Sequence, residues 1–465
     1  MQLQLRRHRV ASHPERGQVT AWAVGISLVL FGFMAFTTDM GFWLVERRTQ
    51  QNQADAAVLA GMQGLPNRDT AAALAQEWLE RNGEAESVCD EWTQPSEYTE
   101  IYQGFAFVEA STDFYTKIRV CVSGPGLLVF SPIFDLAGVE VRAVAAANLQ
   151  VEPSRYALMA MNESDCSLAP TLSVQGGGSG VGQVHLLGDA ASYTALDCGS
   201  TETFRVAGNM TLEADYHDYC GATTSPHGNA VLEGDLNDGI CGVPDPWASN
   251  DLYPQPEPGA CITPASRGWT DFIFANETQT LQPGTYCQLV QVNGSDETKT
   301  TINLAAGTYI FRGGFMATGG KVIGDDVVLY FTCPNGDSCA DSTVTRPVVA
   351  SGCSTQATFC VQGKAWLDIT SPEEIPHIAV WVDRTATAPP GESFVRMAGQ
   401  GNLNVDGHIY ALGGGVQIQG QNASFNFVLN GTILGDTINI SGQGVYTVNW
   451  SEEFAPKIYI LAFVE

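Results

Sequence analysis

The sequence predicts a mainly β protein with an N-terminal α segment. In chain order these are a single transmembrane helix, a small α/β module and a body built as a β-solenoid. Three observations carry that prediction. Residues 17–38 hold no charged side chain. Beyond residue 150, short runs of Val, Ile and Thr are divided by Gly, Asn and Asp, and the chain has 49 glycines in all. Late in the chain a Gly-Gln-Gly or Gly-Gln-Asn group recurs, with leading glycines at 399, 420 and 442.

The uncharged run comes first. A helix rises ~1.5 Å per residue, so this run spans about 33 Å, enough for a hydrocarbon core of roughly 30 Å. Arg6, Arg7, Arg9 and Arg16 precede it, against one acid, Glu15. Short basic flanks stay in the cytoplasm, so residues 1–17 read as a cytoplasmic tail, 18–38 as the membrane span, and the rest as exported. A cleaved secretory signal would have a shorter apolar core and a small-x-small cleavage site, whereas Ala35-Phe36-Thr37 offers a poor one. A prepilin-type signal would want Glu five residues after Gly17, and Trp22 stands there.

From Asp39 the helix continues through Ala54, Ala56, Ala57, Leu59 and Ala60 until Pro66 stops it. A second helix is expected over about 68–82, capped by Asn67 or Asp69 and ended by Gly83. Residues 39–83 thus form a membrane-proximal helical region. Its segment DMGFWLVERRTQQNQADAAVLAG resembles the N-terminal part of TadG-like proteins of the tight-adherence (Flp) pilus assembly machinery. That family carries an apolar helix, an Asp-x-Gly step and then a helix with Gln-Asn, Asp-Ala-Ala and Leu-Ala. The matching residues are Asp39, Gly41, Gln51, Asn52, Asp55, Ala56, Ala57, Leu59, Ala60 and Gly61. The resemblance implies a helix that binds other pilus-assembly or pilin-like membrane proteins. Small residues there suit close helix approach.

Residues 84–150 read as paired strands, with Phe105–Ala110 and Lys117–Val122 flanking Ser111-Thr112-Asp113, and a further strand at Val139–Leu149. Their order is similar to the pilin-like part of TadE/TadG proteins.

Beyond 151 the glycine period of 21 to 22 residues suits one turn of a β-solenoid, whose repeats bury their apolar faces only by stacking. Asn next to Gly suits corners that need positive φ. The alternative is a β-sandwich with chance glycine spacing. Two insertions are expected in this 151–465 body. The Pro-rich segment 244–258 cannot donate to a ladder and should wander over the surface. The Cys-rich segment 333–360 reads as a loop stapled by its own bridges.

All twelve cysteines, Cys89, Cys121, Cys166, Cys198, Cys220, Cys241, Cys261, Cys287, Cys333, Cys339, Cys353 and Cys360, follow the apolar run. An even set on the exported side reads as disulfides. Spacing does not fix connectivity; pairing between neighbours closes the shortest loops.

The net charge is −28, with the excess concentrated beyond residue 150, which disfavours nucleic acid and anionic lipid surfaces. Little chemistry is legible. Some TadG-like proteins carry Asp-x-Ser-x-Ser, but Asp165-Cys-Ser167-Leu-Ala169 lacks the second serine. His217, Cys220 and His227 lack a fourth metal ligand. Asp235/Asp238, Asp325/Asp326 and Asp337/Asp341 offer oxygen to calcium without the spacing of a known calcium loop, so no cofactor is expected and calcium is the weakest exception. Asp383-Arg384 and Asp406 with His408 are the best catalytic pairs, and neither is a site by itself. No phosphate loop, nucleophile elbow or dinucleotide fingerprint is present. The eight Asn-x-Ser/Thr sequons at 162, 209, 276, 293, 422, 430, 439 and 449 arise easily in such a composition.

The expected function is a single-pass, inner-membrane, non-enzymatic component of tight-adherence pilus assembly or surface attachment. The alternatives are an exported glycan-binding surface module and a β-solenoid enzyme acting on polysaccharide.

Overall fold

The computed structural model describes residues 16–64, 68–82, 100–102, 106–110, 115–125, 129–130 and 140–162, and, with short gaps, 171–464. The chain divides into two compact units, residues 1–150 with 459–465 and residues 151–458.

In the first unit, helix α1 (Arg16–Met62) runs without a break through the uncharged segment and the alanine-rich one. It is long and apolar enough to cross a membrane. Its large apolar side chains from Val19 to Val45 are mostly exposed. Thr37 and Thr38 turn their hydroxyls back onto the carbonyls of Phe33 and Met34, so neither needs water. The residues after 50 have the opposite character. Ala54, Ala57, Val58 and Met62 are buried together with Ala71, Ala75 and Leu79 of α2 (Arg68–Arg81).

Both helices share that core with a sheet of β1 (Glu100–Tyr102), β2 (Ala106–Ala110), β3 (Tyr115–Pro125) and β4 (Glu140–Pro153). Successive strands pair antiparallel. Ile118, Val120 and Val122 of β3 stand directly opposite Ala147, Ala145 and Ala143 of β4 in the core shared with the helices. The expected turn at 111–113 lies outside the described residues.

The fifth strand, Lys457–Val464, lies beside β4. This corrects the assignment of 151–465 to one body. The run KIYILAFV has none of the Gly and Asn corners that mark the body, and it completes the sheet of the module instead. The body is therefore inserted between two neighbouring strands of that sheet.

Among the described residues the second unit is one curled, parallel sheet of 28 strands. From Cys261–Ile262 onward most strands pair with the third strand along the chain, as Thr278–Leu281 does with Thr301–Leu304 and that strand with Lys321–Gly324. The interior is apolar, with aromatic rings stacked from repeat to repeat. Phe311 lies 5.6 Å from Tyr286 and 5.1 Å from Phe331. Each such ring removed from water contributes ~1.5–3 kcal/mol.

The stacking order is not the chain order. Ile433–Gly442 pairs with Tyr156–Asn162 and Leu172–Gly176, and Gly444–Asn449 pairs with Gly182–Leu187. The stack then continues outward to Met210–Tyr219 and Val231–Asp238. The first strands of the body therefore sit in the middle of the stack, and the chain must return from one end to the other between residues 238 and 261.

The Pro-rich segment makes that return, which corrects the expectation that it wanders. Prolines keep it out of the ladders, as expected. Trp247 and Tyr253, however, are buried. Trp247 packs against Tyr410 at 5.6 Å, and the Tyr410 hydroxyl donates to Asp245. Gln255 accepts from the Tyr330 hydroxyl and the Arg384 amide, and the Gly259 amide donates to Thr285. The contacts step down the stack from 410 to 285, so the segment is a strap.

Disulfides join Cys261 to Cys287, Cys333 to Cys339 and Cys353 to Cys360, each to the next cysteine along the chain. Cys121 and Cys220 are also disulfide-bonded. Among the described residues no cysteine is free. Cys89, Cys166, Cys198 and Cys241 lie outside them.

Candidate functional site

Two places hold the residues singled out by the sequence. The first is α1. Asp39, directly after the uncharged run, is buried and accepts hydrogen bonds from the backbone amides of Val129 and Phe130 at 2.8 and 3.0 Å. Gln51 donates to Asp55 at 2.8 Å and to the Val144 carbonyl of β4 at 3.1 Å. Ala57 and Gly61 are buried. A Cβ on Gly61 would collide with Ile118 and lie 2.9 Å from the Ala71 carbonyl oxygen.

Several residues expected to meet a partner therefore hold α1 to its own sheet and to α2. For Ala57 this is a correction: its face is filled from within the chain. Gly41, Asn52 and Leu59 stay exposed, while Ala56 and Ala60 are half-buried.

The second place is a recess of about 240 Å³ in the body, lined by Asp406, His408, Asn430, Asn449, Trp450 and Ser451 among others. It forms where three successive repeats turn a corner. Asp406 pairs in register with Asn430, and Asn430 with Asn449. After them come Gly407, Gly431 and Trp450. Gly407 adopts a φ of 124°, which a side chain resists, and a Cβ there would crowd Ser371.

The geometry of the recess is fixed by buried neighbours. His377 places Nε2 3.6 Å from Asp406, while its Nδ1 lies 3.0 Å from the Ser371 hydroxyl and 2.9 Å from the Pro372 carbonyl. The Thr432 amide donates to His408 Nδ1 at 2.9 Å, and His408 lies 5.0 Å from Trp247 of the strap. Asn449 donates to Asn430 at 2.9 Å. The Trp450 indole N–H donates to the Ser154 carbonyl at 2.6 Å, which fixes the ring. Sequence reasoning found Asp406 and His408. It missed Trp450 and took Asn430 and Asn449 only as sequons.

The remaining candidates lie elsewhere. Asp383 is buried and accepts from Thr332, the Cys339 amide and Thr385, so it closes the Cys333–Cys339 loop. Arg384 donates to the Tyr253 carbonyl of the strap. His217 is buried and stacked 5.4 Å from Phe204, with Nε2 3.0 Å from the Glu233 carbonyl, while His227 is exposed and Cys220 is disulfide-bonded. Among the described residues no group of three His, Cys, Asp or Glu is placed to hold a metal ion. Asp165, Asp337 and Asp341 lie outside them.

Residues 17–64 match a protein-family model described as Flp pilus-assembly TadE/G-like, and so this N-terminal region is TadE/G-like. The matched stretch coincides with α1 and its closing turn. No curated protein and no solved structure matches the chain.

Proposed function

We propose that the chain is a single-pass, non-enzymatic membrane component of tight-adherence (Flp-type) pilus assembly or surface attachment. One observation carries the proposal: the TadE/G-like match coincides with a helix that divides into an exposed apolar half and a half packed on its own module. The first half is the anchor in the inner membrane. The arginine-rich flank stays in the cytoplasm, and the disulfide-bonded units lie on the oxidising side. The body is a β-solenoid whose chain leaves the module's sheet after β4 and rejoins it at Lys457–Val464.

The surface for other pilus-assembly or pilin-like membrane proteins is the outward side of α1, where Gly41, Asn52 and Leu59 are exposed. Its opposite side is already taken by β3, β4 and α2.

The test compares Leu59→Lys with the parent chain in a host that makes the pilus. Thiol-reactive labelling of a cysteine placed at residue 3 reports orientation, and surface attachment at matched protein level reports function. Attachment is expected to fall with Leu59→Lys while the protein stays membrane-bound and the residue-3 tag stays shielded in intact cells. Undiminished attachment after deletion of the whole gene, or a residue-3 tag labelled from outside, would overturn the reading.

A further inference from the structure

We infer that the recess over Asp406, Asn430 and Asn449 binds a single saccharide ring. The inference is independent of the pilus reading, since it concerns the chemistry of one cavity in the body.

Size limits the ligand first. Pockets for drug-sized molecules run ~300–1,000 Å³. A recess of about 240 Å³ is suited to one six-membered ring. Its polar groups come from three stacked repeats, so the Asp406 carboxylate and the two amides follow one another at the strand spacing of ~4.8 Å. Non-adjacent hydroxyls of one pyranose are spread over a similar length.

Hydrogen-bonding capacity points the same way. Asn449 uses one N–H on the Asn430 carbonyl oxygen. That leaves the Asn430 amide nitrogen as donor, and the Asn449 carbonyl oxygen and Asp406 carboxylate as acceptors, at the wall of the recess. A hydroxyl both donates and accepts, so a polyol satisfies this mixed set. An anion would be repelled by Asp406 and by the acidic body around it. A hard cation such as calcium wants six to eight oxygen ligands, and the recess offers one carboxylate.

Trp450 supplies the apolar face. Where the two preceding repeats have Gly407 and Gly431, this one places Trp450 in the lining, half-buried against the core of the body. The bond to Ser154 fixes the ring before any ligand arrives, so little freedom is lost on stacking a sugar's C–H face against it. His377 Nε2 lies 3.6 Å from the Asp406 carboxylate.

The experiment uses the full chain in a detergent without a sugar headgroup. Saturation-transfer NMR is run with D-glucose, D-galactose and N-acetyl-D-glucosamine, and with L-lysine amide as the cationic control. At least one sugar should receive saturation at its ring protons. Asn449→Ala and Asn430→Ala should each weaken that binding about tenfold, the loss expected for one hydrogen bond to a neutral ligand, without moving the melting temperature by more than a few degrees. Trp450→Phe should keep some binding and Trp450→Ala none. Absence of transfer to all three sugars, transfer unchanged in both asparagine variants, or transfer to lysine amide alone would overturn the inference.

Discussion

Gly442 and Gly176 lie in parallel register with each other, so the last full repeat of the body stacks directly on its first. They belong to a column of corner glycines in which Gly399 pairs with Gly420 and Gly420 with Gly442. Gly442 has a φ of 97°, and a Cβ there would collide with the Gly420 carbonyl oxygen. Gly442→Ala should therefore cost about 2–4 kcal/mol, combining backbone strain with a clash against main chain that cannot move aside. Gly268 separates the two causes. Its φ is 76°, but nothing lies within 4 Å of where its Cβ would stand. Gly268→Ala should cost only ~1–2 kcal/mol. Thermal unfolding of both variants checks the difference, and equal losses would show that the column is not tightly stacked.

The strap depends on one large anchor. Trp247 is buried against His408 and Tyr410. Trp247→Ala should cost ~3–5 kcal/mol and leave the segment from 245 to 258 open to protease, since prolines already keep it out of the ladders. Limited proteolysis followed by mass mapping reads this directly. Cleavage within 245–258 should appear before any cut in the stacked strands. A variant as resistant as the parent would mean that Asp245 and Gln255 hold the strap without the indole.

How far these features were legible depends on whether their cause is local. The corner glycines at 399 and 442 were readable because positive φ is a demand of each residue on its own backbone, whereas Gly420 is held to glycine by the Gln443 carbonyl oxygen that a Cβ would strike. The pairing of Gly442 with Gly176 was not, because no local signal says which distant strand will cover an open edge. Prolines at 244–258 read as punctuation, which correctly kept them out of the sheet. The burial of Trp247 comes from rings far along the chain, so the strap was missed. In α1 the family resemblance pointed to Asp39 and Gly61 but not to their tasks, since the partners Val129, Phe130 and Ile118 come from other elements. In the recess, Asp406 stood out as a charged residue beside a histidine. Trp450 did not, because a lone tryptophan after a repeat looks like any core residue.

The packing of α1 gives a third test. Ala57 is fully buried between α2 and the sheet. Ala57→Leu adds bulk to a closed space and should destabilise the module by ~1–3 kcal/mol. Asn52→Ala, on the exposed side of the same helix, should change stability by less than about 0.5 kcal/mol. Hydrogen exchange at β3 and β4 in detergent distinguishes them. Faster exchange at 118–122 and 143–147 is expected only for Ala57→Leu. If neither variant alters exchange there while Ala57→Leu still abolishes attachment, then Ala57 meets a partner after all.

Acid should loosen the end of the stack that carries Val231–Asp238, through two adjacent buried groups. Burial lowers the pKa of His217, outweighing the opposing bond to the Glu233 carbonyl and the nearby Asp218 charge. The folded state therefore holds this imidazole neutral where the unfolded chain would protonate it. Its contribution is complete above the ordinary histidine range near pH 6.5 and is lost as the pH falls below it. Asp218 follows at lower pH. Burial pushes its carboxyl up, but hydrogen bonds from Tyr156, Asn237 and Arg155 outweigh that and hold it below the usual value. Stability from this group is present above the ordinary aspartate range near 4 and is lost as the carboxylate is protonated. Unfolding measured across pH 7.5 to 3.5 should thus show a first decline below about 6.5 and a second one below about 4. His217→Gln should remove the first decline and keep the second. A parent chain whose stability is flat between pH 7 and 5 would show that His217 is hydrated in both states.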